Sequence, residues 1–430
     1  MATLPIGYVN MGFDMDYYIA TYDLKITDPS KVNKIVEPMV QYLNYSALHA
    51  FEANDIRGLN EIVRDNYTIN TLGEDRYLIS IHIPQHPLFE QMGFPSLFGM
   101  LFGNVVRDRR IKSIRLLGIE FPEQYYRKYQ GPYLGIEGLA KKFSKSLPLI
   151  AVATGLLCDT DGRFSASTNQ LIKEDVDIII DNPFEIHVRN DKTNSHLHRI
   201  MELLEGSSTI YVVNITGDLN SSIDLANHVR QVASEHQVTY GLRLCPFSAG
   251  FAVLPNLRTS NSDGFIYAYS MFNRIISGTP FYGIAPGATA SILRLLGADF
   301  VTIGSPFDES AERLEDLLAA RGTLLMRGES FRHIRRSIPV LSGGIMPWNV
   351  GYLLDKFGDE IVLHVGKGIW YSPLNNTGEA LAAYRQAIKN FHSGVSLRRA
   401  MEGGGRSPLS KYLKQVKWES ISKFDVIDVD

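Results

Sequence analysis

Cysteine is almost missing from this chain. Cys158 and Cys245 are the only two in 430 residues, far apart and without metal-ligand spacing. That excludes a disulfide scaffold and a cysteine-built zinc site, and leaves a buried, reduced pair in a cytosolic protein as the expectation. No apolar run reaches the roughly 18 residues a membrane-spanning helix needs, so no membrane partner is expected. The opening MATLPIGYVNMGFDMD lacks a basic region followed by an apolar one, which argues against secretion and makes the cytoplasm the default. Charge of either sign is scarce in excess: 43 Lys and Arg face 46 Asp and Glu, a net of −3. A nucleic-acid or anionic-surface partner is therefore not expected.

What is present is an ordinary globular composition, 45% hydrophobic and 21% charged, in a chain long enough for a large core and two domains. Residues 1–135 alternate strand and helix signals irregularly. Tyr17–Ile26 and Arg76–Ile83 alternate like strands, and Ile111–Phe121 is a third. Asp28-Pro29-Ser30 caps an amphipathic stretch, and Phe94–Phe102 reads as an apolar helix. This is a small α+β domain of ferredoxin-like type.

From Pro148 the rhythm changes. Short β-branched runs recur as PLIAVAT, VDIII, TIYVVNIT, TYGLRLC, GFIYAY, ADFVTIG, IPVLSGG and EIVLHVGKG, with helical patterns between them. Near-continuous apolar strands alternating with helices mean a parallel sheet covered on its outer side, and eight such units predict a (β/α)₈ TIM barrel over residues 136–430. A helix over Gly378–Phe391 and an amphipathic one over Leu409–Trp418 follow the barrel.

In such a barrel the chemistry sits at the C-terminal ends of the strands. Strand seven ends in Ser342-Gly343-Gly344 and strand eight in Gly366-Lys367-Gly368. Adjacent glycine-rich loops let backbone N–H groups approach phosphate oxygens, and Lys367 adds a cation. The plainer alternative is two tight turns without a ligand.

The GGI at 343–345 with Trp348, and the GKG at 366–368, resemble the last two barrel units of the ribulose-bisphosphate carboxylase large-subunit family. KYQGPYLGIEGL (128–139), LFGNVV (101–106), FSAGFA (247–252) and ILRLLGADFVTIGSPF (292–307) are similar to that family in order and spacing. The resemblance covers nearly the whole chain. It implies a dimer in which Asn104 reaches into the partner's barrel mouth, although Asn104 could merely cap a helix end. The family's N-terminal glutamate falls on Glu52 at best.

The departures point to a divergent RuBisCO-like protein of the non-carboxylating branch, form IV. The family holds Mg²⁺ through a carbamylated lysine, an aspartate and a glutamate after strand two. Counting without gaps, those positions are Ile180, Asn182 and Pro183, which cannot supply an octahedral oxygen shell. The lysines after strand one become Gly155 and Leu157. The strand-five histidines become Tyr267, Tyr269 and Asn273, and their neighbouring arginine Ser270. The strand-six histidine becomes Thr302, and an acidic SPFDES replaces the basic mobile loop. With the second phosphate site gone, a monophosphate is the expected ligand, with no metal and no other cofactor.

Tyr267 and Tyr269 alternate with Ala268, so both should face the barrel, as acids or as plain core aromatics. Asn214 is a candidate contact for a substrate hydroxyl. Asp159 and Asp161 form either an acid–base pair or a solvated turn, and parity turns Asp181 away from the pocket. His187 and the His196/His198 pair lie beyond strand two, and the pair's spacing argues against zinc. Two readings remain open. One is a metal-independent isomerase, enolase or lyase acting on a small phosphorylated or carboxylated metabolite. The other is a silent barrel that binds such a metabolite or a partner protein. A magnesium-dependent enolase with a relocated site on Asp159 and Asp161 is a third.

Overall fold

A computed structural model describes residues 17–48, 66–84, 93–103, 105, 107–143, 146–153, 163–181, 191–260, 264–269, 273–277, 281–307, 313–328, 331, 333–403 and 406–427. The N-terminal sheet is built from β1 (Tyr17–Ile26), β2 (Tyr67–Thr71), β3 (Arg76–Pro84) and β4 (Ile111–Glu120), in the order β4-β1-β3-β2. All three pairings are antiparallel. With helices Val32–Leu48 and Phe94–Phe102 between strands, this is the ferredoxin-like βαββαβ arrangement. Alternate residues of β1 explain its one-sided core: Tyr18, Ala20, Tyr22 and Leu24 are buried, and Tyr22 Oη donates to the Leu101 carbonyl at 3.0 Å. Asp23 takes a bidentate pair from Arg76 at 2.8 and 2.5 Å.

The remaining chain forms a closed parallel barrel of β5 (Leu149–Ala153), β6 (Ile178–Ile180), β7 (Ile210–Asn214), β8 (Tyr240–Leu244), β9 (Phe265–Ala268), β11 (Phe300–Gly304), β12 (Ile338–Ser342) and β13 (Val362–Val365). These are the eight apolar runs read from the sequence. Period-two alternation sorts each strand. Leu149, Ala151, Ile178, Ile180, Ile210, Val212, Phe265, Tyr267, Phe300, Ile338, Val340 and Val362 fill the lumen, while Ile150, Val152, Ile179, Tyr211, Val213, Leu242, Ile266 and Leu341 pack against the outer helices.

Two strands, β2 and β10, were not expected. β10 (Tyr282–Ile284), between barrel units five and six, leaves the barrel and pairs in parallel with β4 as the fifth strand of the N-terminal sheet. At the opposite end of the lumen, Asp299 staples the incoming chain to the barrel floor. Its fully buried carboxylate accepts from the Leu134, Gly135 and Ile266 amides at 2.9, 3.1 and 2.9 Å, and pairs with Arg258.

The terminal helices differ modestly from expectation. The post-barrel helix runs Thr377–His392, capped by Asn376 Oδ1, which accepts from the Glu379 amide at 2.9 Å. The last amphipathic segment is two pieces, Pro408–Leu413 and Trp418–Ile421, because Lys414 to Lys417 turn the chain.

Candidate active site at the barrel mouth

Strand two delivers Ile180 to the lumen, fully buried among aliphatic side chains and beside Ala153 and Val212. Asp181, the next residue, turns outward. Its carboxylate accepts from Tyr211 Oη at 2.5 Å and from the Asn214 amide at 3.0 Å. The donor chemistry of this strand end therefore does not fit Mg²⁺, which requires oxygen ligands. Asn182 and Pro183 lie outside the described residues, as do Asn104, Glu52, Cys158, Asp159, Asp161, His187 and Ser270.

A polar cluster occupies the mouth instead. Tyr267 and Tyr269 both face inward. Tyr267 Oη meets His364 Nδ1 at 2.9 Å, across the lumen from β9 to β13. Burial pushes the Tyr267 phenol up to about 12, a rise that the Arg243 charge and the Thr302 hydroxyl soften. The phenol therefore stays protonated, and which partner donates in this contact is set by the imidazole tautomer. His364 is held neutral, pushed down to about 3 by burial and then by the Arg243 guanidinium. Tyr269 is likewise raised by burial. Its hydroxyl lies 3.5 Å from Thr216 Oγ1, which donates to Asn214 Oδ1 at 2.9 Å and accepts the Cys245 amide at 3.1 Å. Asn214, expected to touch a substrate, has its carboxamide oxygen turned to this brace. Cys245 is a buried free thiol in the same wall.

Two members of the cluster escaped the sequence reading. Arg243 and His364 sit within runs that look apolar, GLRLC and VLHVG. Parity was the available signal: Arg243 lies two residues before the inward Cys245, and His364 two after the inward Val362. The Arg243 guanidinium lies over the Tyr269 ring, 4.0 Å from its centroid. No barrel-lining strand position among the described residues carries a carboxylate.

The two glycine-rich loops stand side by side, since Ser342 of β12 pairs with His364 of β13. Gly343 and Gly344 have φ of 105° and 62°, and a Cβ on Gly344 would come within 2.4 Å of the Phe307 carbonyl oxygen. Glycine is thus needed there for conformation and for close approach. Asn349 fixes the turn by donating to the Gly344 carbonyl at 3.0 Å and accepting from the Met346 amide at 2.9 Å. On the second loop, a Cβ on Gly366 would meet nothing within 4 Å, whereas one on Gly368 would lie 1.9 Å from Tyr384 Oη. Gly368 is accounted for by packing. Gly366 and the exposed Lys367 border open space. Trp370 Nε1 donates to the Ala153 carbonyl at 2.6 Å and Tyr412 Oη to the Gly368 carbonyl at 3.1 Å, which anchors the loop to strand one and to the C-terminal helices.

His198 Nδ1 approaches His236 Nε2 at 3.1 Å on the outer side of the barrel, a partner 38 residues away in sequence. No group of three metal-ligating side chains occurs among the described residues.

The family model for the ribulose bisphosphate carboxylase large chain, N-terminal domain, matches residues 48–125. Over those residues the chain carries that family's N-terminal domain, and over most of its length it is similar to proteins of the ribulose-bisphosphate carboxylase large-chain superfamily. It is 29% identical over 320 residues to a 2,3-diketo-5-methylthiopentyl-1-phosphate enolase of Geobacillus kaustophilus, covering 71% of this chain and 74% of that one. It is 28% identical over 357 residues to a ribulose bisphosphate carboxylase of Pyrococcus horikoshii, covering 79% of each. In fold it matches a rubisco-like protein of Alicyclobacillus acidocaldarius with a TM-score of 0.73 at 22% identity, over 93% of this chain and 99% of that one. These similarities agree with the closed barrel and the N-terminal sheet. Ile180 stands at the position that the resemblance assigns to the carbamylated lysine. No described helix is long and apolar enough to cross a membrane.

Proposed function

We propose that this chain is a non-carboxylating, metal-independent member of the superfamily that enolises a small phosphorylated carbonyl compound. The observation that carries the reading is the Tyr267–His364 hydrogen bond at the mouth, with Ile180 where a metal-binding side chain would stand. Enolisation moves the proton of the carbon beside the carbonyl to a base, here solvent water at the open mouth, and needs the charge that develops on the carbonyl oxygen to be stabilised. With the Tyr267 phenol donating to Nδ1, the neutral imidazole carries its proton on Nε2 and is a donor that gives that stabilisation without losing a proton, and the protonated Tyr269 is a second donor. Ser342, Gly343, Gly344, Gly366 and Lys367 hold the phosphate beside them, with backbone amides and one cation as the recognition chemistry. A relative named as an enolase of a phosphorylated diketone fits the same reaction class.

In this proposal a homodimer completes the mouth through Asn104, and the protein works in the cytoplasm. The alternative, a barrel that binds the phosphorylated ligand without turning it over, is favoured by the absence of a lumen carboxylate among the described residues to act as base. Dihydroxyacetone phosphate in D₂O separates the two. The expected result is deuterium at the carbon beside the carbonyl, followed by proton NMR, at the same rate with Mg²⁺ or with EDTA. Exchange that requires Mg²⁺ would return the reading to a relocated metal site. Tight binding with no exchange would leave the silent barrel.

A further inference from the structure

Four arginines are buried among the described residues, and three have settled partners. Arg115 pairs with Asp316 at 3.3 Å, and Arg258 pairs with Asp299. Arg294 gives its three nitrogens to the carbonyls of Arg335, Thr323 and Ile334 at 3.0, 2.8 and 3.1 Å. Arg243 is different. It is 5% exposed and faces the lumen, yet it forms no ion pair with a described residue. One amino group donates to the Asp181 carbonyl, while Nε has no hydrogen-bond partner at all. The nearest acid, Asp181, has its carboxylate engaged by the Tyr211 hydroxyl and the Asn214 amide on the outer side of the wall.

A charge removed from water is costly unless a partner returns the lost interaction. The neighbours here do so only in part, because the Asp181 carboxylate acts on the guanidinium through space without a hydrogen bond to it. Tyr267 and Tyr269 are kept protonated by burial, and His364 is kept neutral. The Tyr269 ring gives the guanidinium a face to lie on at 4.0 Å and leaves its donor edge unspent. A planar fork with an unsatisfied Nε is the geometry that matches a carboxylate through two parallel bonds.

We propose that Arg243 is a carboxylate-binding site, so that the ligand of this barrel carries a carboxylate on the side opposite its phosphate. The ligand class is then a short phosphorylated keto or hydroxy acid. The phosphate half of that statement rests on the loop reading under the proposed function, whereas the carboxylate half rests on Arg243 alone.

Two probes of equal length separate the halves: 2-phosphoglycolate, with a phosphate and a carboxylate, and ethyl phosphate, with the phosphate only. Titration calorimetry on the full chain should show 2-phosphoglycolate binding at least about tenfold tighter. Arg243→Gln should bring the two probes to within about twofold, while Lys367→Ala should weaken both by a similar factor. An unchanged ratio in Arg243→Gln, or a ratio near one in the parent, overturns the carboxylate site. Ethyl phosphate binding that ignores Lys367→Ala overturns the phosphate loop and leaves the Arg243 result standing. If Arg243→Gln does not fold, Arg243→Lys decides. It keeps the charge without the fork, so the ratio should drop at least about threefold, and an unchanged ratio is again fatal.

Discussion

Tyr267 and His364 come from strands that are not neighbours in the barrel, and their side chains meet over the lumen at 2.9 Å. On the proposed function the phenol donates to an unprotonated Nδ1, which fixes the imidazole proton on Nε2. Replacing Tyr267 by Phe removes the donor and frees His364 to hold its proton on either nitrogen. On the proposed function, exchange with dihydroxyacetone phosphate should fall about 100-fold in Tyr267→Phe. The ¹⁵N signature of His364 should change with it, from a pure Nε2–H form to a mixture. Retained exchange with a changed signature would remove the pair from the mechanism.

Acid should find the same histidine. Its folded-state value sits near 3 against an ordinary 6.5, so the unfolded chain binds a proton between those limits that the folded chain does not. Stability therefore falls as the pH drops from about 6.5 toward 3, and above that window the residue contributes no pH dependence. Between pH 6.5 and 4.5 the His364 share of the loss is about 1–3 kcal/mol. Urea midpoints of the parent and of His364→Gln should converge as the pH falls. Parallel curves would show that His364 charges freely in the folded state.

The two loop glycines should fail in different ways. Gly368→Ala drives a methyl group into Tyr384, which is fully buried and donates to the Ile345 carbonyl at 2.8 Å. Overpacking of this kind costs about 1–3 kcal/mol, visible as a lower thermal midpoint. Gly366→Ala adds a methyl into open space, so its melting should match the parent while ethyl phosphate binding weakens. Unaltered binding in Gly366→Ala would mean that the phosphate sits elsewhere.

Asp299 offers a test of the fold away from the mouth. Asp299→Ala strips three amides and Arg258 of their acceptor in a dry site. Breaking a buried pair from one side costs about 3–5 kcal/mol. Denaturant unfolding of this variant should report a loss of that size, and a loss below about 1 kcal/mol would show that water replaces the carboxylate.

Much of this architecture was legible beforehand. All eight barrel strands coincide with β-branched runs, because a strand buried on both faces has little choice of residue. The short strands β2 and β10 were not legible. Tyr67–Thr71 is largely exposed and carries no buried stripe, and Tyr282–Ile284 owes its state to β4, more than 160 residues upstream in sequence. At the mouth, inward parity placed Tyr267 and Tyr269 correctly in the lumen, and the same rule applied to GLRLC and VLHVG would have found Arg243 and His364. They do not stand out because one charged or imidazole side chain scarcely changes the hydropathy of a five-residue run. No sequence pattern could have said that Asn214 would be spent on Thr216, since that depends on a three-dimensional neighbour.

Strand β10 carries a last implication. It joins the edge of β4 while its flanking chain belongs to barrel units five and six. A gene fragment ending before the barrel would leave the β4 edge bare, a sticky backbone ready to recruit another copy. The N-terminal sheet gains its last strand only after five of the eight barrel strands have been synthesised, so its edge stays open until the chain has passed Ile284.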